Sequence, residues 1–148
     1  MHLILCDGAT LTVTSGVQVA GENSLAIYTQ SDGEDMGALT VSGVANYNAG
    51  IGGNDGETCG TVTTNGGTVN ANGSDGGAGV GGGVYGAGGT VTINGGSVTA
   101  TGGNGGAGVG GGYEGEGGTI TLGWTNAADR IQANSYSGAV TVAEGNWK

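Results

Sequence analysis

Apolar and polar residues alternate along several short segments of the chain, which is typical of half-buried β-strands. In 90–93 the two aliphatic residues point to one side and the two threonines to the other. The alternation resumes in 97–101, after the turn residues 94–96. The glycine-rich segment 107–111 then holds one larger apolar residue, Val109. Because no part of the chain shows helical spacing with capping residues, the pattern predicts three short strands and three corners per repeat.

This strand pattern recurs at a fixed period. Segment 49–77 aligns on 78–106 without a gap, and the two share 16 of 29 positions. A constant period is typical of a solenoid, in which each repeat buries its apolar residues by stacking on its neighbours. We therefore expect one domain over 1–148. Its parts are irregular N-terminal coils over 1–48, regular repeats over 49–77, 78–106 and 107–135, and a C-terminal cap over 123–148.

Inward-facing residues of successive coils are expected to stack as three walls. Such stacking describes an all-β fold, a parallel β-helix of about five three-stranded coils about 4.8 Å apart, and the crossover rule predicts a right-handed winding. The expected first wall is Leu11/Val13, Leu39/Val41, Val62/Thr64, Val91/Ile93, Ile120/Leu122 and Val140/Val142; the second is Val17/Val19, Val69/Ala71, Val98/Ala100 and Ile131/Ala133; the third is Ile27, Ile51, Val80 and Val109.

The charge of the chain excludes several partners. Twelve acidic residues against two basic ones, Arg130 and Lys148, give a net charge of −10. So few cations cannot neutralise nucleic-acid phosphates, and the acidity disfavours anionic lipid surfaces. We expect no membrane insertion, because no run of about 18 apolar residues is present. The N-terminus lacks the basic start and apolar stretch of a secretion signal, so an export signal is expected to lie outside this sequence.

The sequence contains few residues that are suited to catalysis. The single histidine, His2, stands at the N-terminus, so the repeats contain no Ser-His-Asp or Cys-His pairing. A polysaccharide-active fragment stays as a minor alternative, because a glycosidase needs only two carboxylates on a groove. A lyase would need a basic residue, for which Arg130 is the internal candidate. We expect the protein not to be an enzyme.

Acidic residues follow the expected third-wall positions and suggest a calcium site. Stacked carboxylates repel one another unless a hard cation separates them, and Ca²⁺ binds six to eight oxygen atoms. The alternative that the residues favour is a solvated acidic loop that keeps a glycine-rich protein soluble. The candidate calcium ligands are Asp32, Glu34, Asp35, Asp55 and Glu57.

Tyrosines near the same corner suggest carbohydrate binding. Tyr85 and Tyr113 are expected beside the carboxylates, and Tyr28 lies one residue past its expected third-wall position. Apolar sugar faces stack on exposed rings, so these residues are candidate ligand-binding residues. The alternative is that the rings cover the glycine-rich wall as ordinary packing.

Outward threonines offer another candidate site. Thr61/Thr63, Thr90/Thr92 and Thr119/Thr121 are expected to form a flat double row. The rows resemble the Thr-x-Thr arrays of ice-binding β-helices, although threonine is also an ordinary strand residue on a solvated face. Ice binding is therefore a minor alternative.

The two cysteines, Cys6 and Cys59, could form one disulfide in an exported protein. Their positions relative to the expected first wall put them about two coils apart, near 9.6 Å. Since bridged Cα atoms rarely exceed about 7 Å, we expect free thiols.

Four strings carry a resemblance that covers nearly the whole chain: LILCDGATLTV at 3–13, TVTINGGSVTA at 90–100, AGVGGG at 107–112 and ITLGWT at 120–125. They resemble glycine-rich repeats of large secreted or wall-anchored surface proteins of gut-type bacteria. The repeat is more loosely similar to β-helical bacterial carbohydrate-binding domains that use calcium. The resemblance implies a secreted or cell-surface location, with glycans or neighbouring domains of the same surface protein as partners.

These observations together favour a non-enzymatic adhesive or spacer module of a surface protein. Glycan binding through the tyrosine and carboxylate corner is the leading specific function, with calcium as a candidate cofactor. The main alternative is a purely structural stalk, in which the repeats only set a distance between other domains.

Overall fold

A computed structural model of the protein describes residues 1–43, 47–124, 126–135 and 146–147. This part of the chain contains no helix, and it forms a β-solenoid of stacked coils with a spacing of about 29 residues. The strands are β1 (His2–Leu5), β2 (Thr10–Val13), β3 (Val17–Gln18), β4 (Ser24–Thr29), β5 (Ala38–Ser42), β6 (Ile51–Gly52), β7 (Thr61–Asn72), β8 (Val80–Gly81), β9 (Thr90–Thr101), β10 (Val109–Gly110), β11 (Thr119–Leu122), β12 (Arg130–Asn134) and β13 (Asn146–Trp147).

The strands pair in parallel and form three walls, as the repeat predicts. The first wall runs β1, β4, β7, β9, β11 and β13, and the second runs β2, β5, β7, β9 and β12. These two walls share one sheet, because β7 and β9 continue from the first wall into the second. The third wall is a separate sheet of two-residue strands, in the order β10, β8, β6 and β3. The hand of the winding stays a prediction.

The corner between the first and second walls lies inside β7 and β9, where Asn-Gly-Gly bends the strand without ending it. Gly66 and Gly67 have φ values of 153° and 85°, which only glycine adopts easily. Asn94 Nδ2 donates to Asn65 Oδ1 across the coils at 2.9 Å. This bond between stacked asparagines holds the two corners together.

Apolar side chains fill one continuous interior column. Val62, Val91 and Ile120 lie in register on the first wall, as expected from the period. The larger side chains with under 2% of their surface exposed are Leu25, Ile27, Leu39, Ile51, Ile93, Val19, Val41, Val62, Val69, Val91 and Val98. The threonine rows of β7, β9 and β11 are also in register on the outer side of this wall. Ice binding by these rows stays a prediction that a thermal-hysteresis measurement tests.

The wall assignment of the N-terminal coils was wrong in part. Leu11 and Leu39 lie on the second wall, where Leu39 pairs with Val69. Ile27 lies on the first wall, between Leu3 and Thr64, and Val17 lies on the third. Strand alternation looks the same on every wall, so only the repeat period assigns a strand to one.

Before residue 49 the coils do not keep the 29-residue period, because long corners such as the segment between β4 and β5 intervene. The expected Val140/Val142 pair of the first wall and residues 125, 136–145 and 148 of the expected cap lie outside the described residues. None of the described ranges forms a helix with the length and apolar character that crossing a bilayer requires.

Both cysteines are free thiols in this structure, and they differ in burial. Cys6 is exposed, whereas Cys59 is buried beside Gly52. Burial raises the pKa of the Cys59 thiol from 9.0 to about 12. Since the thiolate is the reactive form, we expect an alkylating reagent to modify Cys6 in the folded protein and Cys59 only after unfolding.

The raised pKa of Cys59 predicts a loss of stability at alkaline pH. Between about pH 9 and pH 12 the unfolded thiol releases its proton while the folded one keeps it. The free energy of unfolding therefore falls by about 1.4 kcal/mol per pH unit in that window, or about 2 kcal/mol by pH 10.5. Urea unfolding of the wild type and of Cys59→Ala at pH 8 and about pH 10.5 checks this. An equal alkaline loss in both proteins would show that Cys59 is not its source.

Candidate functional site

Two columns of turns flank the narrow third wall. Each third-wall strand has only two residues, so the turns before and after it lie side by side. The turn residues before the wall include Tyr47, Gly76 and Gly105, spaced by one 29-residue repeat. The turn residues after the wall are Asp55-Gly56, Val84-Tyr85 and Tyr113-Glu114, with the same spacing. Side chains from both columns therefore meet on one outer surface of the solenoid.

Tyrosines occupy turn positions where equivalent coils have glycine. The backbone of Tyr47 has a φ of 67°, in the left-handed region that Gly76 and Gly105 adopt with values of 75° and 82°. In the second column, Tyr85 has a φ of 61°, and the equivalent Gly56 has 74°. A left-handed backbone costs an L-residue about 1–2 kcal/mol relative to its preferred conformation. These coils thus carry a tyrosine where a glycine would be more stable.

Backbone hydrogen bonds join the two columns and fix the tyrosines. The Val84 N–H donates to Tyr47 O at 2.9 Å, and the Tyr113 N–H donates to Gly76 O at 2.7 Å. The Tyr85 N–H donates to Tyr113 O at 2.8 Å. Each tyrosine backbone is therefore held by a bond to the neighbouring coil or column.

The position of the Tyr113 ring depends on the absence of a side chain at Gly105. A Cβ placed on Gly105 would lie 2.5 Å from Cδ2 of Tyr113, closer than real Cβ atoms come to other atoms. The ring therefore lies directly against the Gly105 backbone. The absence of a side chain at Gly105 therefore leaves space for the Tyr113 ring.

The result is a pocket of about 480 Å³ between the columns. Its lining includes Tyr47, Tyr85, Tyr113, Asp55, Asp75 and Asn104, and we call it the tyrosine pocket. The three tyrosines are 49%, 63% and 45% exposed in that order. The ring centroids of Tyr85 and Tyr113 lie 6.4 Å apart, with an angle of 66° between the planes. The pocket thus combines aromatic faces with carboxylate and amide oxygens.

The volume and the lining residues of the tyrosine pocket indicate what kind of ligand it can bind. No family model, curated protein or solved structure matches this chain. Its volume lies in the range of about 300–1,000 Å³ that small-molecule sites occupy. A mixture of apolar faces and a few polar groups is the usual lining of such sites.

The expected tyrosines are only partly brought together. Tyr85 and Tyr113 share the tyrosine pocket, but Tyr28 lies on β4 of the first wall. The Tyr28 ring stacks on His2, with centroids 5.7 Å apart and an interplanar angle of 27°. The prediction for Tyr28 depended on a third-wall position for Ile27, which is wrong because Ile27 pairs within the first wall.

The candidate calcium ligands separate into different parts of the surface for the same reason. Asp32, Glu34 and Asp35 follow the first-wall strand β4, whereas Asp55 and Glu57 follow the third-wall strand β6. The expected single site at one corner is therefore not formed by these five residues. Within the described ranges, no group of three or more His, Cys, Asp or Glu residues could hold a metal ion. Calcium binding stays a prediction.

Each of these carboxylates has its own surroundings. Glu57 accepts hydrogen bonds from Gln18 Nε2 at 2.9 Å and from the Asn54 N–H at 3.1 Å. Asp32 lines a smaller cavity of about 110 Å³ together with Asp129. Asp55 lines the tyrosine pocket, and its N–H donates to Asn48 Oδ1 at 3.0 Å. Glu57 therefore acts in turn structure, and Asp55 is the member of the set that belongs to the pocket.

Three of the polar and aromatic residues that line the tyrosine pocket were not predicted: Tyr47, Asp75 and Asn104. Extending the 29-residue period backwards would have found Tyr47, because it aligns with Gly76 and Gly105. Asp75 and Asn104 are equivalent residues in the turns before the third wall. Their part in the pocket required the second column of turns, which the strand pattern does not reveal.

Proposed function

We propose that this chain is a non-enzymatic module of a secreted or cell-surface protein that binds a glycan in the tyrosine pocket. The observation that carries the proposal is the convergence of three exposed tyrosines, from successive coils, on one pocket with carboxylate and amide groups. The apolar face of a sugar stacks on an aromatic ring, and its hydroxyls bond to Asp and Asn oxygens.

The dimensions of the tyrosine pocket favour an oligosaccharide. Tyr47, Tyr85 and Tyr113 come from three coils, and coils in a parallel sheet repeat about every 4.8 Å. The backbones of the three tyrosines therefore extend over about 10 Å along the solenoid axis, which suits more than one sugar unit. An open pocket on a rigid stack also leaves room for the rest of a longer chain.

Backbone strain in the pocket supports a function for its tyrosines. Strained residues that the surrounding structure holds in place cluster at binding sites. Tyr47 and Tyr85 have positive φ values of 67° and 61°; the positions equivalent to Tyr47 are Gly76 and Gly105, and those equivalent to Tyr85 are Gly56 and Glu114. Packing alone does not explain this choice, since the Tyr85 side chain is 63% exposed.

A purely structural stalk is the second candidate, and the N-terminal coil favours it. Leu11 is 43% exposed, whereas its neighbour Leu39 on the same wall is fully buried. Another coil or domain stacked on this end would cover Leu11. A stalk needs no ligand, so ligand-dependent stability distinguishes the two candidates, because a ligand that binds only the folded state raises its stability.

Tyr85→Gly tests the glycan proposal because it should raise the stability of the fold and lower its affinity for the glycan. The change gives position 85 the residue that position 56 has, and it removes the ring from the pocket. We expect the free energy of unfolding to rise by up to about 1 kcal/mol, because the positive φ no longer costs energy. We expect affinity for the bound glycan to fall about tenfold, the loss of one aromatic contact.

A glycan array identifies the oligosaccharide, and calorimetric titration with urea unfolding measures the two effects. Tyr28→Ala is the control, since Tyr28 is a partly exposed tyrosine on another wall and its loss should leave affinity unchanged. Glycan affinity that is equal in wild type and Tyr85→Gly would exclude this pocket. An array without any bound glycan would favour the stalk.

A further inference from the structure

The charged side chains in the described lining of the tyrosine pocket are all acidic. Its lining includes the carboxylates of Asp55 and Asp75, and its described lining residues include no basic side chain. Elsewhere, Arg130 lies on the second wall, where its Nε donates to Ser97 Oγ at 3.0 Å, and His2 stacks on Tyr28. The net charge of the chain, −10, adds to the negative potential of the pocket. Anionic ligands are therefore repelled and cationic ones attracted.

The ring arrangement adds a second attraction for a cation. The faces of aromatic rings are electron-rich and attract a cation within about 6 Å of the ring centroid. The rings of Tyr85 and Tyr113 meet edge to face, with centroids 6.4 Å apart and 66° between the planes, so a cation is attracted over a ring face rather than between the two rings. Tyr47 borders the same pocket from the other column of turns.

We propose that the tyrosine pocket recognises an ammonium group, and that its glycan contains an amino sugar with a free amine. This inference rests on the proposed glycan function and specifies the sugar class. The ammonium lies over the face of a pocket tyrosine, with Asp55 and Asp75 supplying opposite charge. An N-acetylated sugar lacks this charge, and a uronic acid carries the wrong one. The pocket thus discriminates among sugars that have similar shapes.

Two oligosaccharides with the same backbone test the charge preference. We would titrate the protein with β-1,4-linked glucosamine oligomers and with the corresponding N-acetylglucosamine oligomers, with choline as a third probe. We expect the glucosamine oligomer to bind at least about tenfold more tightly, a difference that shrinks as salt screens the carboxylates. Choline should bind weakly in the same pocket, because it presents a permanent ammonium group.

Charge-neutralising variants test whether a carboxylate of the pocket causes the preference for glucosamine. Asp75→Asn keeps the shape of the side chain and should reduce the preference for glucosamine severalfold. Asp7→Asn is the matched control, because Asp7 is an exposed aspartate on the N-terminal coil, outside the pocket. Both sites are exposed, so both variants are expected to fold.

The outcomes separate this inference from the proposed function. Equal affinity for the two oligomers would overturn ammonium recognition and leave glycan binding in place. Binding of choline but of neither oligomer would support ammonium recognition and contradict the assignment of an amino sugar as its ligand. No binding by any of the three would overturn ammonium recognition, whereas the glycan array decides the proposed glycan function separately. A glucosamine preference unchanged in Asp75→Asn would overturn the role of this carboxylate in the pocket.

Discussion

Gly81→Ala is expected to lower the free energy of unfolding by more than about 4 kcal/mol, a large fraction of the stability of an ordinary domain. Gly81 lies on the third wall and pairs with Gly52 and Gly110 in the coils on either side. A Cβ at this position would overlap the carbonyl oxygen of Gly110. The third wall therefore has no room for a methyl group, and the coils would have to separate.

Substitutions at two other glycines separate the effect of steric overlap from that of backbone strain. Gly56→Ala introduces a residue at a φ of 74° with no neighbouring atom within 4 Å, so it should cost about 1–2 kcal/mol through backbone strain alone. Gly33→Ala has neither a positive φ nor a close neighbour, its nearest atom being Ser31 Oγ at 3.7 Å, and should be nearly neutral. Urea unfolding measures all three variants. A loss in Gly81→Ala no larger than in Gly56→Ala would contradict close stacking of the third wall.

Leu39→Ala is expected to cost about 2–5 kcal/mol, because it leaves a cavity in the interior column. Leu39 has none of its surface exposed and packs on the second wall between Leu11 and Val69. The same substitution at Leu11, which is 43% exposed, removes much less buried surface and should cost about 1 kcal/mol or less. The two variants thus compare the same Leu→Ala substitution in adjacent coils of the second wall.

Urea unfolding of Leu39→Ala and Leu11→Ala makes this comparison. Similar losses in both would mean that the N-terminal coil is as well covered as the next one, or that Leu39 is not an interior residue. Either result would contradict the described end of the solenoid.

The regular coils were predictable from sequence because one physical requirement shapes every repeat. Each coil buries few apolar side chains, so it must place them over those of its neighbours, and a strict period follows. Val62, Val91 and Ile120 keep that period and lie in register. Leu11, Val17 and Ile27 precede the strict repeats, and without the period their alternation did not indicate a wall.

The candidate site was only half predictable. Tyr85 and Tyr113 could be assigned to a corner because each follows a third-wall strand at a similar distance. Tyr47 comes from the opposite column of turns, and the two columns meet because the strand between them has only two residues. Turn geometry, rather than strand pattern, brings these residues together.

Cross-linking of outward threonines tests the stacking of the coils most directly. Thr63 and Thr92 are paired on adjacent strands of the first wall, and Thr121 is the next residue in the same row. Neighbouring strands are about 4.8 Å apart, within the Cα distance of a disulfide, whereas residues two coils apart are about 9.6 Å apart and too far. Both cysteine pairs would be placed in a Cys6→Ser background and oxidised while folded.

The stacked solenoid predicts a disulfide in the Thr63→Cys/Thr92→Cys protein and none within the Thr63→Cys/Thr121→Cys protein, as read by peptide mass mapping. Linkage of 63 to 121 as readily as 63 to 92, or linkage of neither pair in the folded protein, would contradict it.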